Sequence, residues 1–399
     1  MGLVKSSKSD MESPKSEIEQ VLGRSDAVGA TTDEGKGRIF PCESCGADFE
    51  FNIGEQKLKC PFCGFEKEVE LAVESEVAEQ DFQVMLDRVL EFRELKEKAE
   101  PSEPSDCSEV RCESCSGVVV FTGTLTSTEC PYCGSPIQRE NIHTATRRVP
   151  VDGVLPFLVE RGTVQSKLKQ WVKSRWFAPG DFKKRGAQGK FNGIYLPYWT
   201  FDSLTFTAYS GERGDNYTVR VGTGKNRRTK TRTRWSPASG RFQRFFDDVL
   251  VVASQGLPES YVIALEPWPL MKCVPFTQQY LAGYLARTYD VELDRGFEKG
   301  KQRIDAAIRA DVKRRIGGDK QRVHGVNSRY DAITYKHLLL PVYLMTYRFK
   351  NKPYRIFVNA VTGEIQGQRP YSWAKISMAV LAGVVAIITV VVILNFTGR

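Results

Sequence analysis

An α+β fold is predicted for the 399-residue chain: two small four-cysteine zinc ribbons of rubredoxin-like type, a mixed α+β domain, and one C-terminal transmembrane helix. Three observations carry that expectation. A paired C-x-x-C pattern occurs twice, residues 141–370 mix helix-period with strand-period patterns, and an uncharged apolar run lies close to the end of the chain. Composition narrows the function classes. With 41% apolar and 11% aromatic residues the chain is not disordered throughout. Its three histidines, His143, His324 and His337, form no H-E-x-x-H motif, which excludes zincin-type hydrolysis.

Residues 1–38 read as a disordered polar arm, rich in Ser, Glu, Lys and Gly. Met1-Gly-Leu-Val-Lys-Ser6 fits the loose myristoylation pattern, and no apolar stretch near Met1 resembles a signal peptide. The first ribbon is expected over 39–70, from Cys42-Glu-Ser-Cys45 and Cys60-Pro-Phe-Cys63. The second is expected over 106–140, from Cys112-Glu-Ser-Cys115 and Cys130-Pro-Tyr-Cys133. Two C-x-x-C turns joined by a short hairpin can aim four thiolates at one tetrahedral ion. Four sulfurs leave no open position for water, so the expected role is structural, with one zinc per ribbon and two per chain. Iron accepts the same ligand type, and disulfides are the weaker reading in a reducing compartment. Gly46, Gly64 and Gly134 follow the second Cys of their turns, where a positive φ is easily adopted. Cys107 and Cys273 are left over, Cys273 as an expected core residue.

Between the ribbons, residues 71–105 form a spacer and linker. Phe82, Met85, Leu86, Val89 and Phe92 recur at helical spacing, and Pro101-Ser-Glu-Pro104 ends the helix.

Charge is divided along the chain. Residues 1–140 hold 15 basic and 29 acidic side chains, whereas 141–399 hold 42 and 19, so a basic rear follows an acidic front. Such a rear is expected to meet phosphate, on anionic lipid or on nucleic acid. Within the basic α+β domain (141–370), Val164, Leu168, Trp171 and Val172 mark a short helix. Tyr195–Phe201, Thr205–Tyr209 and Tyr217–Val221 read as separate strands divided by Gly, Asp and Asn turns. From Arg220 to Arg244 there are nine basic residues and no acid. Arg228, Lys230, Arg232 and Arg234 alternate along it, so a strand would present all four on one face at about 6–7 Å spacing, suited to an extended anionic surface. The alternative is an edge strand whose cations only block aggregation. Phe276–Tyr289 and Phe297–Ile316 read as helices, the second with a Phe297, Ile304, Ile308 and Val312 stripe and a stop at Gly317-Gly318. Residues 338–367 return to strands with a tight turn at Asn359–Gly363. Leu340-Pro-Val-Tyr echoes Leu196-Pro-Tyr-Trp, a hint of two related halves.

Ile376–Leu394 is 19 residues without a charge, long enough to span a bilayer. Tyr371, Trp373 and Lys375 form an interfacial anchor within 371–399. Lys350, Lys352, Arg355, Arg369 and Lys375 precede the run and a single Arg follows it. The positive-inside rule then places the bulk of the chain in the cytoplasm, held at the cell membrane by a tail anchor.

No Walker, dinucleotide or G-x-S-x-G motif is present, and Gly222-Thr-Gly-Lys225 lacks the P-loop spacing. Asp247 and Asp248, adjacent in sequence, read as turn or cap residues. In its ribbons, Leu196-Pro-Tyr-Trp, Asn359-Ala-Val-Thr-Gly-Glu and the apolar tail, the chain resembles a group of bacterial membrane proteins with N-terminal TFIIB-type zinc ribbons, over roughly residues 40–395. Members are often labelled primosomal protein N′ (replication factor Y), a superfamily II helicase, which implies DNA binding and ATP-driven unwinding. The eight ribbon cysteines carry over by position, while the ATP-binding motifs are missing, so helicase activity is not expected. The expectation is therefore a non-enzymatic scaffold presenting ribbons and a basic domain to a protein partner and to anionic head groups at the membrane face. Its alternative is membrane-associated nucleic-acid binding linked to DNA replication.

Overall fold

The computed structural model describes residues 42–47, 49–69, 77–98, 107–111, 118–122, 127–129, 136–138, 142–144, 149–180, 182, 191–222, 227–255, 257–349 and 352–397; over 107–144 it gives strands and their pairing alone. The N-terminal part holds β1 (Glu50–Asn52), β2 (Lys57–Lys59) and β3 (Glu66–Glu68) as one antiparallel sheet, then β4 (Gln80–Asp81) and helix α1 (Phe82–Lys98). Five short strands follow: β5 (Cys107–Arg111), β6 (Val118–Thr122), β7 (Ser127–Glu129), β8 (Pro136–Gln138) and β9 (Ile142–Thr144). They pair antiparallel as β6-β5-β9 and β7-β8. The polar arm, Cys112, Cys115, Cys130, Cys133 and Lys225 lie outside the described residues.

The rear part runs β10 (Gly153–Val154), α2 (Arg161–Lys173), β11 (Asn192–Val221), β12 (Arg228–Val252), α3 (Glu259–Ile263), β13 (Val274–Pro275), β14 (Leu285–Ala286), α4 (Leu293–Ile316), β15 (Lys320–Phe349), β16 (Lys352–Asn359) and β17 (Ile365–Gly367); α5 (Trp373–Thr397) follows. One mixed sheet carries all of these strands. Its centre is the antiparallel pair β11–β15, with Leu196 opposite Leu340.

An approximate two-fold relation passes through that pair. On one side β10 adds parallel to β15, with Gly153 opposite Leu338; on the other β14 adds parallel to β11, with Leu285 opposite Ile194. The amides of Leu155 and Arg287 donate to the carbonyls of Leu339 and Tyr195, and those of Ala360 and Ala253 donate to Pro341 and Pro197. Leu158 and Val159 then donate to the Ala360 carbonyl, as Asp290 and Val291 donate to that of Ala253. Each half is thus short strand, helix, long strand and return strand, and each short strand pairs with the other half's long strand. The Leu-Pro echo is the sequence trace of this arrangement.

Two expectations change. The stretch 195–221 is one strand rather than three, and its supposed turn residues have other uses. A Cβ at Gly211 would run into the Arg322 carbonyl and Ile316, and one at Gly214 would meet Thr233 and Trp235 at 2.8 Å, so these glycines allow close approach. Residues 276–289 are not a helix. After β13 they form a 3-10 turn over Gln278–Leu281 and β14, because Gly283, at φ +77°, breaks the periodic run and Tyr280 and Tyr284 are used for packing.

Helices cover one face of the long strands. Val164, Leu168 and Val172 of α2 pack with Tyr195, Tyr343 and Ile356. Ile304, Ile308, Val312 and Ile316 of α4 pack with Phe242, Phe246, Val323 and Tyr330. Helix α1 is docked against this body: Phe82 meets Phe201 and Phe297, and Arg93 pairs with Glu292 and Asp294. Cys273 is half-buried in the remaining core, where burial pushes its thiol up to about 12.

Candidate metal centre and membrane-proximal surface

The sulfurs of Cys42, Cys45, Cys60 and Cys63 lie within 4.8 Å of one another, a set that could hold a metal ion. Two matching turns build it. The Gly46 amide donates to the Cys42 carbonyl at 2.8 Å and the Gly64 amide to that of Cys60 at 3.0 Å, with φ of +72° and +74° at the two glycines. A Cβ is strained there, which explains the glycine after each C-x-x-C. Across the centre Cys42 meets Cys63, and Cys45 meets Cys60, each at 3.5 Å.

The electrostatics are those of thiols competing for charge. The Cys63 amide, helped by that of Phe62, draws the Cys60 thiol down to about 6. At Cys45 the Ala47 amide also pulls down, but the Cys60 and Cys63 thiols outweigh it and Cys45 goes up to about 12. Four sulfurs gathered this closely are the donor set of a tetrahedral metal ion.

This unit is joined to the rear domain. Cys42, Phe49, Phe51, Leu58 and Cys60 are buried in the same core as Tyr280, Phe157 and Tyr343. The Phe51 amide donates to the Ala282 carbonyl at 3.1 Å, and Gln56 donates to that of Phe157. A cleft of about 330 Å³ lies at the junction, lined by Glu50, Asn52, Glu160, Arg161 and Tyr284.

The cations Arg228, Lys230, Arg232 and Arg234 are exposed on β12, opposite Val221, Val219, Tyr217 and Asp215 of β11. β12 is an edge strand here, as its composition suggests. Asp247 and Asp248, read as turn residues, form a bulge on β12 opposite Asp202. The Asp248 amide and Thr334 hydroxyl donate to the Asp202 carboxylate, and Lys336 Nζ lies 2.9 Å from Asp248, 3.5 Å from Glu79 and 3.9 Å from Asp202. Burial, reinforced by the charges of Glu79 and Asp248, pushes Asp202 up to about 6 despite Asp248's amide and Lys336. Carboxylate oxygens of Glu79, Asp202 and Asp247 also approach within 4.8 Å, but Lys336 already supplies the positive charge beside them. His337 is buried, with Nδ1 at 3.0 Å from the Pro150 carbonyl, and His324 is exposed.

α5 is long and apolar enough over Trp373–Val391 to cross a membrane, and none of that stretch is buried. Its root carries an aromatic collar. Trp176 and Trp373 are 74% and 79% exposed, beside exposed Phe177 and Tyr371. Lys375 Nζ donates to the Ala178 carbonyl at 2.7 Å and to that of Trp176 at 3.3 Å, and the Ser372 amide donates to Phe177 at 2.8 Å. Tyr371, Trp373 and Lys375 were expected from sequence. Trp176 and Phe177, distant in the chain, were not, and their only signal was two adjacent aromatics after a helix with no apolar periodicity to absorb them.

No family model matches the chain, and no solved structure matches it. It is similar to the uncharacterized protein YdjG of Bacillus subtilis (strain 168), 23% identical over 352 residues, which is 85% of this chain and 92% of that protein.

Proposed function

We propose that the chain is a non-enzymatic, zinc-binding interaction protein, held at the cell membrane by α5 with its bulk in the cytoplasm. The observation that carries this reading is the collar. Trp176, Phe177, Tyr371 and Trp373 are large, exposed and gathered around the start of an apolar helix, where aromatic side chains gain most by sitting at the head-group level. Arg355, Arg369 and Lys375 lie on the same side of the helix, which supports the cytoplasmic orientation.

Cys42, Cys45, Cys60 and Cys63 form a zinc ribbon, and the repeated spacing supports a second zinc on Cys112, Cys115, Cys130 and Cys133. These ions are structural, fastening small sheets that present binding surfaces to a protein partner. In the collar's test, membranes holding the full chain are extracted with alkaline carbonate and floated, beside a chain ending at Pro370. The full chain is expected to float and the shortened one to be released; release of both would contradict the span.

A further inference from the structure

We propose that the free end of the β11–β12 ribbon is a second membrane contact: a wedge that sets Tyr217, Val219 and Val221 among anionic head groups while Arg228, Lys230, Arg232 and Arg234 neutralise the phosphates. This rests on the reading that α5 spans a membrane.

The register builds the wedge. β15 accompanies β11 only as far as Gly214, opposite Lys320. From Asp215 to Val221, β11 pairs among the described residues with β12 alone, so the end is a two-stranded ribbon. Residues directly opposite in an antiparallel pair share a face. Val221–Arg228, Val219–Lys230, Tyr217–Arg232 and Asp215–Arg234 are such pairs. One face therefore carries four cations with two valines, a tyrosine and Asp215, and the other carries Arg220, Thr218, Asn216, Thr229, Thr231 and Thr233. Tyr217 and Val221 are exposed, and Arg234 lies over the Tyr217 ring at 5.5 Å. The four cations form no ion pair among the described residues, whereas nearby Asp215 is taken by Arg213 at 3.0 Å.

Both halves of that face need a use. A nucleic acid would engage the cations and leave Val219 and Val221 in water. A bilayer interface accepts both, because apolar side chains enter the head-group and acyl boundary while cations remain at phosphate level. Register also separates this contact from the first. β16, which leads to β17 and α5, pairs with the Val342–Phe349 end of β15, and the cations lie beyond its Lys320 end. The separation is on the order of 80 Å along the strands at ~3.3 Å per residue. With the long strands lying along the bilayer, the span at one end holds the ribbon at the other over the same surface, which raises the effective concentration of lipid at the wedge.

The full chain with p-benzoylphenylalanine at Val221 is reconstituted into vesicles of phosphatidylcholine, with or without about one-third phosphatidylglycerol, and irradiated. Flotation of the same vesicles reports α5 independently of the wedge. Lipid adducts are expected to rise several-fold with phosphatidylglycerol, and to return to the neutral-lipid level in molar salt or on Arg228→Ala, Lys230→Ala, Arg232→Ala and Arg234→Ala together. The charge-preserving set Arg228→Lys, Arg232→Lys and Arg234→Lys should keep the adducts, and its loss of them would overturn the electrostatic account. Equal adducts on both vesicle types in floated protein would overturn the wedge, as would adducts to added duplex DNA replacing those to lipid. Protein that does not float removes the wedge together with the span.

Discussion

Leu196 and Leu340 lie directly opposite each other in the central strands, and each is followed by a proline whose carbonyl accepts an amide from the end of its half's return strand, Ala253 or Ala360. The exchange of β10 and β14 between halves follows from this relation. Neither half closes its own sheet, and the fully buried Trp199, Tyr195, Tyr343 and Leu339 draw neighbours from both.

Residues 141–256 and 257–370 produced separately should therefore be unfolded, and mixing them should restore sheet structure. Far-ultraviolet circular dichroism with urea titration reads this directly. A cooperative transition in either fragment alone would break the account of interdependent halves.

Helix α4 sits so close to the sheet that a Cβ at Gly296 would lie 2.5 Å from Trp199 Cδ1. Gly296→Ala should lower stability by about 1–3 kcal/mol from overpacking, despite the ~1 kcal/mol that alanine normally adds inside a helix. Urea midpoints of the two proteins distinguish these signs, and a rise in the variant would mean that the helix can withdraw freely.

Much of this was legible in the sequence, for reasons local to each element. The Ile304, Ile308 and Val312 stripe and Gly317 define α4 because helix periodicity and its stop are short-range signals. The cysteine spacing names the four thiols that meet near Cys60, and the uncharged run names α5. What escaped depends on partners far away in the chain. Gly211 and Gly214 look like turns until Ile316 and Trp235 are placed against them, and Tyr280 and Tyr284 look helical until Phe51 and Phe157 claim their rings. Likewise Asp202, Asp248 and Lys336 meet only because paired bulges bring three strands together.

If each ribbon holds one zinc as proposed, Cys60→Ser should remove one of the two ions. Exchange of backbone amides should speed up over 49–69, including the Phe51 amide that donates to the Ala282 carbonyl. Zinc analysis with hydrogen exchange checks both parts. Undiminished zinc would remove Cys60 from the ligand set.

Asp202 gives the root of the ribbon a pH dependence. Its folded carboxyl holds a proton up to about 6, above the usual carboxylate range. The stabilisation this supplies is complete below about pH 4 and is lost as pH rises towards about 6. Asp202→Asn keeps an acceptor for the Asp248 amide without the titration. The urea midpoint of the variant should gain on that of the parent between pH 4 and 6, and a constant difference would mean that Asp202 titrates normally.

Protease protection in sealed membrane vesicles of both orientations tests whether α5 fastens the chain to the membrane with residues 42–370 on the cytoplasmic side. Protease reaching the cytoplasmic face should degrade the chain down to a fragment around 371–399, while protease on the opposite face should leave residues 42–370 intact. Cleavage within 42–370 from the opposite face would contradict the orientation, and complete degradation of α5 from the cytoplasmic side would contradict the span.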